Sequence, residues 1–118
     1  MPSTPNTLAL FSDLYELTMA EAYLAHGMTE EATFSLFFRK LPPNRNFLLA
    51  CGVEELLEQV EALRFSSDDT AYLRSLRVFS GDFLDWLARY RFSGTIEAVA
   101  EGTPLFPNEP ILEVTGPI

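Results

Sequence analysis

Apolar and polar positions in the first quarter of the chain predict an amphipathic helix from Leu10 to His26. Leucines recur there at steps of four, three and seven residues, which places them on one stripe of a 3.6-residue period. Asp13, followed three residues later by Glu16, fits a capping box, and Gly27 suits the position after the last turn. A second apolar stripe consists of Tyr15, Met19 and Tyr23. Two such faces indicate that the helix is covered in part on both sides.

The middle of the chain predicts three further helices. Apolar residues from Val53 to Leu63 recur at helical spacing and predict the second helix. Ser66, with Asp69 three residues later, marks the start of a short third helix. Ser80 is the next N-cap, and the fourth helix is expected to end near Tyr90. This last helix is expected to bury Phe83, Leu84 and Leu87.

Extended segments flank these helices. Ala32 to Arg39 alternates between two faces and is rich in Phe and Thr, which predicts a strand. Phe47 to Cys51 is a short apolar run and a second strand candidate, and Thr95 to Ala100 and Ile111 to Thr115 are two more. This order of elements predicts an α+β fold, most simply an antiparallel or mixed sheet with helices packed on it.

The positions of prolines and small polar residues along the chain predict one main domain. Prolines and small polar residues make residues 1–9 an N-terminal arm, and residues 10–118 form a single α/β domain. The last strand candidate runs into Gly116 and Pro117 and stops on an apolar residue. We interpret this end as a chain cut at a junction between elements or domains.

The composition excludes several classes of protein. The 118 residues are 47% hydrophobic, which is too apolar for a disordered chain. The sequence has no apolar run of about 18 residues and no positively charged leader, so we expect a cytoplasmic protein without a membrane span. A single cysteine and a single histidine leave no disulfide framework and no Cys/His metal site. The 17 acidic residues against 8 basic ones argue against nucleic-acid binding.

Most residues with reactive side chains have an ordinary structural interpretation. Cys51 lies in an apolar run and is expected to be a buried, unreactive thiol. His26 is expected to interact with the helix dipole or with solvent. The acidic residues of the second helix are expected to form its solvent face. They are Glu54, Glu55, Glu58 and Glu61.

Two places are better candidates for ligand binding. Asp13 opens a helix whose N-terminal amides attract anions, and Tyr15 is placed to stack on a flat ligand. Arg39 is expected at the end of the first strand, followed by Lys40, where two cations suit a phosphate. The alternatives are an N-cap beside a packed aromatic ring and a pair of surface cations.

Four segments resemble nicotinate phosphoribosyltransferases. Phe11–Met19 is similar to their opening TDLYQLTM, and Phe34–Lys40 is similar to their F-x-L-F-F-R strand. Leu49–Leu57 is similar to FAGLEEVLEYL. Phe92–Gly94, with Glu101–Pro110, resembles the pattern F-x-G followed by EGTxVFPNEP. The segments occur in family order and span nearly the whole chain, from about Leu10 to Ile118.

This resemblance implies a reaction and a set of roles. Nicotinate and phosphoribosyl pyrophosphate give nicotinate mononucleotide and pyrophosphate for NAD synthesis, with ATP and Mg²⁺ used by the full-length enzyme. It also implies an α/β barrel after this domain, and a homodimer whose active site crosses the subunit interface. The family's stacking tyrosine maps onto Tyr15, its nearby acid onto Asp13, and its strand arginine onto Arg39 at the phosphoribosyl substrate.

The chain is several times shorter than members of this family. The barrel, with its phosphate loops and its phosphorylated histidine, has no counterpart here, and His26 does not match that histidine's place. We therefore expect these 118 residues to contain no catalytic residue, metal site or cofactor site and to be inactive alone. One alternative is a stand-alone interaction module. Another keeps the enzyme but has nicotinamide as its substrate.

Overall fold

A short 3-10 turn and a helix open the described part of the chain, which in this computed structural model comprises residues 7–118. The turn is Thr7–Leu10 and α1 is Leu14–Ala25. The first six residues of the predicted arm lie outside the described residues. The chain then divides into two units, which we call the helical unit (residues 7–29, 60–92 and 118) and the sheet unit (residues 30–59 and 93–117).

The helical unit contains α1, the end of α2 (Val53–Ala62), α3 (Ser67–Ser75) and α4 (Gly81–Arg89). Its buried cluster is formed by Leu73, Phe83, Leu84 and Leu87. The prediction that α4 buries three apolar residues is therefore confirmed. Six partly buried side chains pack around this cluster: Leu10, Leu17, Ala20, Phe65, Phe79 and Trp86.

The predicted helix starts are confirmed by their caps. The Ser66 hydroxyl accepts the Asp69 N–H at 3.1 Å, and the Asp69 carboxylate accepts the Ser66 N–H at 2.7 Å. Ser80 accepts the Phe83 N–H at 3.2 Å and so caps α4. Each cap satisfies backbone donors that have no partner inside the helix.

The end of α1 also follows the sequence. Gly27 has φ of 62°, and the Met28 N–H donates to the Tyr23 carbonyl at 2.9 Å, as in a Schellman motif. The second stripe of α1 is covered only in part. The helix has no fully buried residue, Tyr15 and Met19 are 60% and 45% exposed, and Tyr23 is partly buried.

The sheet unit is built from antiparallel strands, which confirms the α+β class. Strand β5 (Leu112–Pro117) lies between β1 (Glu31–Leu36) and β3 (Thr95–Ala98). A separate pair joins β2 (Leu48–Leu49) to β4 (Pro104–Leu105). Their small buried cluster consists of Ala50, Val53 and Leu105.

The three-stranded sheet has one polar and one apolar face. In register, Thr33 faces Thr115, and their Oγ1 atoms lie 2.8 Å apart. Ser35 donates to the Glu113 carboxylate at 2.9 Å on the same face. The other face carries Phe34, which is opposite Val114. The side-chain period of two in a strand produces this separation.

Strand β1 ends three residues earlier than the sequence predicts. Its last pair is Leu36 with Leu112, which is the first residue of β5, so β5 has no residue that could pair with the chain after Leu36. The Phe38 carbonyl instead accepts the Asn108 N–H at 2.8 Å. Arg39 therefore lies in a loop and does not belong to the Thr33 and Ser35 face of the strand.

Every helix within residues 7–118 is too short or too polar to span a lipid bilayer.

Candidate functional site

The start of α1 is capped by a carboxylate of its own first turn, that of Glu16. Asp13 is the N-cap, with φ of −80° and ψ of 146°. The Glu16 carboxylate accepts the Asp13 N–H at 3.1 Å and the Ser12 hydroxyl. The Ser12 hydrogen bond, followed by the bond from Asp13, lowers the pKa of Glu16 below its ordinary value. This arrangement fixes the backbone that precedes Tyr15.

Tyr15 is presented away from the buried cluster. It lies 200° around the helix from Leu17, at about 100° per residue, and Leu17 packs against the cluster. The Tyr15 side chain is 60% exposed, and the neighbouring Phe11 is 87% exposed. An exposed aromatic face is available to stack on a flat ligand. The start of α1 therefore offers aromatic faces on a fixed backbone.

Arg39 is a second exposed candidate. It follows Phe38, which is half-buried against the sheet-unit cluster, so its backbone is anchored although it lies in a loop. Within residues 7–118, no carboxylate lies within ion-pair distance of the Arg39 guanidinium. An unpaired guanidinium keeps its five donors available for an oxyanion, and its planar fork matches phosphate oxygens.

The predicted site residues fall into two groups. Asp13 and Tyr15 lie two residues apart at the start of α1, in the helical unit. Arg39 belongs to the sheet unit. The structure therefore brings the first two together and places the third on a separate element.

One prediction about reactive residues is wrong. Cys51 is exposed, although its apolar neighbours predicted a buried thiol. Ala50, directly before it, is buried, and Gly52, directly after it, has φ of 91° and turns the chain into α2. Ala50 directly follows β2, and neighbouring side chains along a strand direction point to opposite sides, which accounts for a buried Ala50 beside an exposed Cys51.

Other groups do not form a metal site. Among residues 7–118, no three His, Cys, Asp or Glu side chains are placed to hold an ion. The four acidic side chains of α2 are exposed as expected: Glu54, Glu55, Glu58 and Glu61. The sheet unit has an open depression of about 270 Å³ along residues 97–99 and 110–113, and none of the predicted site residues lines it.

Glu101 has a role that the sequence analysis missed. Its carboxylate accepts the N–H groups of Gly52 and Glu54, each at 3.1 Å, and that of Val53 between them. It therefore satisfies the first orphan donors of α2 from 47 or more residues away. The only signal was its place in a resembling motif, because a cap this distant has no local spacing.

Comparison with known proteins gives consistent results. Residues 10–118 match the family described as the nicotinate phosphoribosyltransferase (NAPRTase) N-terminal domain. A nicotinate phosphoribosyltransferase of Mycobacterium tuberculosis is 52% identical over 110 residues, which is 93% of this chain and 24% of that protein. A Bacillus subtilis nicotinate phosphoribosyltransferase is 36% identical over 96% of this chain and 23% of its own length.

A solved structure shows the same fold. The crystal structure of human nicotinic acid phosphoribosyltransferase matches with a TM-score of 0.77 and 34% identity. The match covers 90% of this chain and 22% of the human one. The chain thus spans about a quarter of the length of the curated relatives it matches.

Proposed function

The chain belongs to the nicotinate phosphoribosyltransferase family through its N-terminal domain, and we propose that it serves an enzyme making nicotinate mononucleotide. In this reaction nicotinate displaces pyrophosphate from phosphoribosyl pyrophosphate, and the product enters NAD synthesis. Tyr15, Asp13 and Arg39 are the substrate-binding residues that this domain contributes. The catalytic groups belong to the remainder of the enzyme, so these 118 residues alone are inactive.

The observation that carries this proposal is the exposure of Tyr15. A core tyrosine would be buried, but this ring is 60% exposed at a capped helix start. An aromatic face stacks on a planar pyridine ring, and the capped helix fixes the ring's position before the substrate arrives. Asp13, at the N-cap beside it, is exposed and contributes a carboxylate at the edge of the same surface.

Arg39 suits the other substrate. Transfer to an anomeric carbon builds positive charge on the ribose while pyrophosphate leaves with negative charge. A site for this chemistry must orient the base and neutralise the leaving group. The unpaired Arg39 guanidinium supplies a fork of donors that matches phosphate oxygens.

The proposal extends to the enzyme's partners. Tyr15 and Arg39 act in an active site shared with a second subunit of a homodimer, in the cytoplasm. The complete enzyme couples the transfer to ATP hydrolysis with Mg²⁺. The support for these features is membership of the family.

Steady-state kinetics of the enzyme that contains this domain tests the role of Tyr15. Tyr15→Ala should raise the KM for nicotinate about tenfold, which is the size of effect that removing one aromatic stacking partner produces. Tyr72→Ala is the matched control, because Tyr72 is 56% exposed in the same unit. Unchanged nicotinate kinetics in Tyr15→Ala would exclude Tyr15 from the site.

The same assay separates the two substrates. Arg39→Ala should raise the KM for phosphoribosyl pyrophosphate and leave that for nicotinate nearly unchanged. An effect confined to nicotinate would contradict the role given to Arg39. Competition between nicotinate and nicotinamide identifies the base, and a clear preference for nicotinamide would reject nicotinate as the substrate.

A further inference from the structure

Positive charge in the sheet unit is confined to one loop. The unit has nine acidic residues, five in residues 30–59 and four in residues 93–117. Its basic residues number three, and all lie within seven consecutive positions: Arg39, Lys40 and Arg45. We call residues 39–47 the basic loop. A cluster of one sign in a unit of the opposite sign favours binding of an anion at that place.

The three cations are exposed and unpaired. None of their side chains forms an ion pair or a hydrogen bond within residues 7–118. The unit contains nine carboxylates, yet none of them pairs with these three cations. Their donors therefore remain available for a bound anion.

Both ends of the basic loop are anchored at the same place. Phe38, just before it, and Leu48, just after it, pack against the cluster of Ala50, Val53 and Leu105. The Phe38 carbonyl is also held by the Asn108 N–H at 2.8 Å. A loop whose ends pack on one cluster closes on itself, which brings its first and last residues near each other.

A tight turn fixes the position of Arg45. The Arg45 N–H donates to the Pro42 carbonyl at 3.2 Å, and Asn44 has φ of 65°. Proline at the second position and a positive φ at the third are typical of a type II turn. Pro42 and Pro43 restrict φ before any ligand arrives, so the backbone at Arg45 needs little further ordering when an anion binds.

We propose that Arg45 completes, with Arg39 and Lys40, a subsite on the basic loop for the pyrophosphate group of a phosphorylated substrate. The inference rests on the proposed function for the identity of that substrate, but the subsite itself follows from the loop. Two guanidinium forks match a compact anion with several phosphate oxygens. A long polyanion such as nucleic acid is disfavoured, because the chain's net charge of −9 repels it outside the loop.

Titration of the purified protein with inorganic pyrophosphate tests the subsite by calorimetry. Arg45→Gln should weaken binding about fivefold, the effect expected of one largely exposed charge pair. Pro43→Gly keeps every charge but loosens the turn, so it should weaken binding by a smaller factor. Arg77→Gln is the matched control, since Arg77 is an exposed arginine in the helical unit with no side-chain partner among residues 7–118.

Each outcome of the titration decides the proposal. Equal weakening by Arg45→Gln and Arg77→Gln would mean a general charge effect and would overturn it. Absence of pyrophosphate binding to the wild-type protein, or wild-type binding by Arg45→Gln, would overturn it too. Circular dichroism of the variants verifies that their folds are intact.

Kinetics distinguishes this inference from the proposed function. If Arg39→Ala raises the KM for phosphoribosyl pyrophosphate and Arg45→Gln does not, the enzyme assignment stands and the Arg45 subsite fails. If pyrophosphate binding depends on Arg45 in a protein that transfers no phosphoribose, the subsite stands and the enzyme assignment fails.

Discussion

The helical unit and the sheet unit bury their apolar residues to different degrees. The four cluster residues of the helical unit are each 1–2% exposed and include Phe83. Those of the sheet unit are 4–9% exposed and include an alanine. On β1 of the sheet unit, Phe34 and Leu36 are 62% and 50% exposed. The helical unit thus closes a core with its own residues, whereas the sheet unit leaves one face open.

This difference follows from how each unit is connected. Helices α3 and α4 are separated by a few residues, so their apolar stripes meet through a short link. The central strand β5 instead pairs with β1 from about 80 residues away, and two edge strands remain. A three-stranded sheet offers two faces, and this unit has only a small cluster to cover them. Exposed apolar side chains on β1 are the result.

Truncating the core of the helical unit should have the largest effect on stability. Phe83 is 1% exposed and stacks on Trp86 with ring centroids 5.9 Å apart. Phe83→Ala should lower the free energy of unfolding by about 3–5 kcal/mol, because it removes buried surface and leaves a cavity. Chemical denaturation followed by tryptophan fluorescence and circular dichroism measures this loss.

Phe34→Ala is the matched substitution in the sheet unit. Phe34 is 62% exposed, so its loss should change the free energy of unfolding by about 0.5 kcal/mol or less. Equal destabilisation by the two substitutions would refute the contrast between a closed and an open core. It would show that Phe34 is covered in solution.

Removing the cap from α2 should have an intermediate effect, in the sheet unit. Glu101→Ala leaves the N–H groups of Gly52, Val53 and Glu54 without their acceptor. We expect a loss of about 1–3 kcal/mol, since several donors lose a charged partner. Hydrogen exchange at these three amides should become faster. Glu58→Ala, on the exposed face of the same helix, should have little effect on either measurement, and equal effects would contradict the role of Glu101 as a cap.

The sequence predicted features that depend on near neighbours. Ser66 with Asp69, and Gly27 after α1, are correct because a cap involves residues three or four positions apart. The exposure of Tyr15 is consistent with its place opposite the leucine stripe, and the second stripe, to which Tyr15 belongs, is covered only in part, with Tyr23 partly buried.

Features that depend on distant contacts could not be predicted in this way. The end of β1 is set by where β5 begins, so Arg39 was placed on a strand that stops at Leu36. Glu101 caps a helix that begins nearly 50 residues earlier in the chain. Neither contact leaves a periodic signal, because both are fixed by tertiary pairing rather than by spacing.

The smallest expected effect concerns acid and the start of α1, in the helical unit. Hydrogen bonds from Ser12 and the Asp13 N–H lower the folded-state pKa of Glu16 below its ordinary value. A lowered folded pKa contributes stability above the unfolded pKa, and this contribution is lost as the pH falls through the folded value. The melting temperature of Glu16→Gln should therefore be lower than that of wild type at neutral pH, and the difference should shrink as the solution becomes acidic. Glu58→Gln is the control, because it removes one negative charge at an exposed position outside the start of α1. A difference between wild type and Glu16→Gln that persists unchanged in acid would show that the stabilisation by Glu16 does not depend on its charge, which would contradict the role given to the lowered pKa.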